Sequence, residues 1–190
     1  MNNKNALSAT LYVILFVSLF ILIQSLSFEG GRHLVNLLGG TEATDGDYLT
    51  KNGESLAITA VISSLATFIL FIATKWAPVS SNYLRTRPWD VFFWSALIAL
   101  GSILPMQFLA EKLNLTMPEG TEELFNSIMK VSWGYVALGL MVPFAEEIVF
   151  RGAIQRVLQN VLGERNRWIA IVISALIFGI IHFNLAQGLH

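Results

Sequence analysis

Apolar residues in this chain fill whole blocks, separated by short polar stretches, instead of recurring on one helical face. One block runs over 8–26 ("SATLYVILFVSLFILIQSL"), a second over 56–76, a third over 91–109, a fourth over 133–162 and a fifth over 168–185. Most are about twenty residues long, and a helix of that length at 1.5 Å per residue crosses a hydrocarbon layer about 30 Å thick. The pattern predicts an all-α fold, a polytopic transmembrane helix bundle of about five spans forming a single membrane domain over 1–190. Pro88 suits a first helical turn, where its missing N–H costs nothing. Trp76, Trp89, Trp133 and Trp168 stand at block ends, as interfacial anchors do. Ser25-Leu26-Ser27 resembles a signal-peptide cleavage site, but the apolar run before it exceeds the usual 7–15 residues. The first block therefore reads as an uncleaved span. The stretch 28–54, with two Gly-Gly pairs and "TDGDY", reads as an exposed, turn-rich loop.

Composition agrees: 54% of residues are hydrophobic and 13% charged, where a soluble domain carries about 25% charged. The absence of cysteine excludes disulfides and thiolate metal sites. A net charge of −1 gives no basic footprint for nucleic acid. Lysine and arginine are unevenly placed. Lys75, Arg85, Arg87, Arg156, Arg165 and Arg167 flank the second-to-third and fourth-to-fifth connections with one acid, Glu164. Arg32, Lys51, Lys112 and Lys130 lie among nine acids in the loops after the first and third blocks. That bias puts the N-terminus and the even-numbered loops in the cytoplasm.

One stretch departs from the apolar pattern. "FAEEIVFRG", residues 144–152, sets Glu146, Glu147 and Arg151 inside the fourth block. Each such charge at the centre of a membrane helix costs about 2.5–3.5 kcal/mol on insertion scales. Glu147 and Arg151 are i and i+4, so they share a helical face and can pair. Glu146 lies about 100° around the helix and is not neutralised in that way. Two readings are open: a structural ion pair with a spare carboxylate near the headgroups, or a buried carboxylate serving as a general base.

A second ionisable group lies within the fifth block, His182 in "ALIFGIIHF". A turn at "GERN", residues 163–166, would make the last two blocks an antiparallel pair. Glu147 and His182 are each 17.5 positions from its centre, and Arg151 and Phe178 each 13.5. Carboxylate and imidazole can then face each other at one depth. Residues 153–162 carry an amphipathic stripe and could lie on the membrane surface, but a continuous helix bent at Pro143 fits the fifth block better. The pair could activate water, the glutamate taking a proton while the imidazole orients it. It could also supply part of a zinc site, which typically needs three protein ligands. His33 falls in the first loop and His190 eight positions after His182, so two candidates do not complete such a site.

"EEIVFR" followed some thirty residues later by "FGIIH" resembles the EExxxR and FxxxH motifs of the CAAX protease and bacteriocin-processing (CPBP, Abi-type) family of intramembrane proteases. The resemblance covers about residues 133–190. It implies an endopeptidase that cleaves a peptide or protein, lipidated in some relatives, near its end within the lipid bilayer. The setting would be a bacterial cytoplasmic membrane. By that likeness Glu146 is the general base, Glu147 supports it, Arg151 holds the acidic pair, His182 binds the water or a metal, and Phe178 packs beside the site. The cofactor is either a divalent metal, zinc, held partly by Glu146 and His182, or none, with glutamate alone activating water. The family's later motif, HxxxN, has no match here: Asn184 is only two positions from His182, and His190 is the last residue. That departure predicts a truncated copy in which the 190-residue chain has little or no activity. Two rivals compete with the protease: a non-enzymatic membrane protein of the same fold, acting in bacteriocin immunity or as a scaffold, and a small transporter relaying protons through Glu146 and His182.

Overall fold

The computed structural model describes residues 3–39, 52–78, 89–112 and 119–187. Helices α1 (Asn3–Gly39), α2 (Gly53–Ala73), α3 (Trp89–Lys112) and α4 (Glu119–Met129) come first. Residues 134–162 then form one helical run of changing pitch: α5 (Gly134–Val136), π1 (Ala137–Met141), α6 (Val142–Glu147), π2 (Ile148–Ile154) and α7 (Gln155–Leu162). A 3-10 turn, Glu164–Asn166, leads into α8 (Arg167–Gln187). Among the described residues there is no strand. Four helices among the described residues are long and apolar enough to cross a membrane, over Asn5–Leu34, Gly53–Ala73, Trp89–Leu109 and Glu164–His182. The protein is an all-α transmembrane bundle.

The chain divides into two compact units, Met1–Pro78 with Glu119–His190, and Val79–Pro118. The second unit is built on α3. That helix carries Asp90 in its first turn and Lys112 in its last, each sign matched to the helix dipole. Lys112 also stands 5.6 Å from the Phe108 ring centroid.

The first unit differs from expectation at two places. α1 does not stop near residue 26 but continues through Gly39, so residues 28–39 of the expected loop are helical; residues 40–51 lie outside the described residues. Two adjacent glycines cost a helix about 1 kcal/mol each, too little to end one that is packed along its side. Gly31 lies at one such contact. A Cβ there would collide with the Thr59 hydroxyl of α2, so glycine is what lets the backbones approach. The second difference is α4. Its Leu124 and Ile128, one turn apart, pack with Leu56, Ala57, Trp133 and Ala137. Gly53 and Gly134 each lie against backbone of this helix, at Ser127 and Ile128.

The main core joins α1, α2, the 134–162 run and α8 through Phe16, Phe20, Phe71, Val149, Phe150, Ile154 and Ile181. In lipid, burial from water no longer drives helices together, and close packing must do it. Interlocked rings supply that contact. Phe16 lies 5.5 Å from Phe71 and 5.1 Å from Trp76, and Phe150 meets Phe20 at 5.7 Å and Phe178 at 5.0 Å, both edge to face. Trp76 and Trp133, placed at block ends by the sequence, therefore pack inward, whereas Trp89 and Trp168 are exposed.

Candidate active site

The site is built on the 134–162 run and on α8. Gly163 joins them with φ +76°, a backbone conformation open to glycine at no steric cost. Asn166 N–H then closes the 3-10 turn on the Gly163 carbonyl at 3.1 Å. The two helical elements thus return antiparallel over a tight connection.

Pro143 shapes the first of them. It has no N–H to give the preceding turn, and π1 lies immediately before α6, in which Pro143 occupies the first turn. Proline thus coincides with a change of pitch. Further on, π2 replaces α hydrogen bonding with an i→i+5 pattern, and Gln155 N–H donates to the Phe150 carbonyl. Ser174 of α8 donates its hydroxyl to the same carbonyl at 2.9 Å, in a buried position. The π turn has a consequence for register. Each i→i+5 turn takes one residue more than an α turn, so the residue opposite His182 is one position further from the connecting loop than an unbroken α-helix would give.

That residue is Glu146. Its Oε1 lies 3.3 Å from His182 Nε2, while Glu147, the equidistant position, turns to Arg151 and pairs with it at 2.6 Å. Glu146 is the more enclosed of the two glutamates, its side chain 19% exposed against 52% for Glu147. Phe178 packs on the imidazole with ring centroids 4.0 Å apart. The structure therefore brings together four of the sequence-predicted site residues in two contacts, Glu146 with His182 and Glu147 with Arg151, and sets Phe178 beside the first. Next to them is a cavity of about 300 Å³ whose walls include Glu146, Glu147, Arg151, Gln155 and Ser174. Sequence reasoning missed Gln155 and Ser174. Ser174 was visible only as a lone hydroxyl in "VISALIF".

The hydrogen bonds around His182 restrict its protonation. Nδ1 is 3.0 Å from the Phe178 carbonyl, which can only accept, so Nδ1 carries a hydrogen. The contact from Nε2 to Glu146 then contains one proton. Either the carboxylic acid donates to a neutral imidazole, or an imidazolium donates to a carboxylate. Both forms are neutral as a pair, the condition under which ionisable groups are tolerated inside a membrane.

As metal ligands, Glu146 and His182 would furnish two donors. Among the described residues no group of three or more His, Cys, Asp or Glu side chains converges, short of the three that a catalytic zinc typically takes. His33 is carried on α1, and His190 lies outside the described residues.

An acid–imidazole pair beside a cavity, on two helices of a membrane bundle, has the groups needed to take a proton from water and to orient it. Residues 128–189 match the family model described as type II CAAX prenyl endopeptidase, Rce1-like. That segment contains Glu146, Glu147, Arg151, Phe178 and His182, and over it the chain is similar to proteases of the CAAX protease and bacteriocin-processing family. Comparison with curated proteins and with solved structures gives no match.

Proposed function

We propose that this protein is an intramembrane endopeptidase in which Glu146 activates water for attack on a peptide bond near the end of a membrane-associated, lipidated or unmodified, peptide or protein. The observation that carries the proposal is the 3.3 Å contact between Glu146 and His182 across two helices, within the segment similar to CAAX endopeptidases. The state in which imidazolium donates to carboxylate is the competent one. Its Oε1 is engaged by Nε2–H, and Oε2 is left to take a proton from water. The oxygen of that water bonds to the scissile carbonyl carbon. The imidazolium is a cationic donor beside the developing oxyanion. Collapse breaks the C–N bond, and Glu146 passes its proton to the leaving amine. Arg151 neutralises Glu147, so that the neighbouring carboxylate does not compete for the shared proton. If a divalent metal takes part, Glu146 and His182 are the residues that would hold it.

Orientation follows the lysine and arginine bias: N-terminus in the cytoplasm, in a bacterial cytoplasmic membrane, with no nucleic-acid partner. The test is a cleavage assay on the full-length protein in membranes. Glu146→Gln and His182→Ala should each lower the rate by about 10²–10⁴-fold, the range that general acid–base groups supply. A protein whose phenotype survives both substitutions, with no product peptide, is instead a non-enzymatic bacteriocin-immunity or scaffold protein of the same fold. Flux that follows a pH gradient, again with no product, would make it a transporter.

A further inference from the structure

The Phe150 carbonyl accepts two hydrogen bonds from different directions. One comes from Gln155 N–H, the i→i+5 bond of π2, and the other from the Ser174 hydroxyl of α8 at 2.9 Å. In an α turn this carbonyl would take the N–H of Ile154 instead. Ser174 is only 5% exposed, and its hydroxyl is given to this carbonyl. The bond joins residues 24 apart in sequence. It is therefore a fastening between the two elements of the site and not a local helical contact.

The same stretch decides which glutamate meets the histidine. Counting back from the connecting loop in α register pairs Glu147 with His182; the observed partner is Glu146. Removing the extra residue of the π turn would rotate everything upstream by about 100°, carry Glu146 away from the imidazole and bring Glu147 towards it. We infer that Ser174 is a positioning residue whose hydroxyl, by holding the Phe150 carbonyl, fixes the π turn that sets Glu146 opposite His182. The inference deepens the proposed function and rests on it for its catalytic meaning, but its geometry can be tested apart from any cleavage.

The chain contains no cysteine, so introduced pairs report without background. In full-length protein in native membranes, Glu146→Cys with His182→Cys and Glu147→Cys with His182→Cys are oxidised and the two cross-linking yields compared. The first pair should dominate while Ser174 is present. Ser174→Ala should move the ratio towards the second pair by about tenfold, the shift expected when one buried hydrogen bond is lost. Ser174→Thr and Ser174→Val, nearly the same shape, separate the hydroxyl from packing: Thr should keep the parent ratio and Val should not. In the cleavage assay the hydroxyl-free variants should lose kcat with little change in KM. A ratio that is the same in the Thr and Val proteins, or a parent that cross-links chiefly through position 147, overturns the inference. A shifted ratio in a protein that cleaves nothing upholds the role of Ser174 and removes the protease.

Discussion

Helix α2 and the 134–162 run both extend along the membrane unit, but they are made differently. α2 keeps α pitch for all of its 21 residues and buries Phe71 together with Ser55, Thr59, Ser63 and Thr67, which recur at every fourth position. The later run changes pitch four times between Gly134 and Leu162 and bears Glu146, Glu147 and Arg151. Where a helix only has to pack, uniform pitch presents one continuous face of small hydroxyls and rings. Where one of two adjacent carboxylates must face a given partner, a change of pitch sets which one does. Both helices contribute to the core, but only the irregular one also carries the ionisable groups.

The strongest way to sharpen that contrast is Phe71→Ala. Its ring is fully buried between Phe16 and Trp76, and such deletions cost about 3–5 kcal/mol. Unfolding in detergent should show the loss, while protein that remains folded keeps the disulfide yield of the Glu146→Cys, His182→Cys pair. Arg151→Met comes next. It leaves the Glu147 carboxylate unpaired, with a cost of up to about 2.5–3.5 kcal/mol on insertion scales. The double variant Glu147→Gln/Arg151→Met should recover most of it in a double-mutant cycle. A single variant as stable as its parent would show that this pair is solvated and structurally idle. The smallest effect belongs to Gly31→Ala, whose methyl must displace the Thr59 side chain, an overpacking cost of about 1–3 kcal/mol. Thr59→Ala in the same chain should relieve it. No relief would mean that α1 and α2 do not meet at this point.

Much of this arrangement was legible beforehand. Block length gave the helical membrane class, and the tight connection near 163–166 is where Gly163 turns the chain. That one of the two adjacent glutamates would lie level with His182 also followed from counting along two antiparallel helices. The choice between the glutamates by that count did not, because it assumes constant pitch, and no periodicity in "IVFRGAI" announces an i→i+5 turn. Ser174 escaped for a related reason: a serine in an apolar block donates by default to its own helix, and only the folded chain brings it an acceptor on another. The end of α1 was misjudged because Gly30 and Gly31 read as loop, whereas glycine in a membrane helix also marks where a neighbour comes close. α4 was overlooked because eleven residues with three glutamates do not register in a search for twenty-residue apolar blocks.

The 37 residues of α1 make a rod about 55 Å long, against a hydrocarbon layer of about 30 Å. Tilt absorbs part of such an excess. Glu29 and Arg32 pair at 2.8 Å towards its C-terminal end, and Phe16 and Phe20 further back abut Phe71 and Phe150. One shaft thus touches α2 at Gly31 and Thr59 and Phe150 through Phe20, so a tilt of α1 is passed to the run that carries Glu146, four residues before that ring.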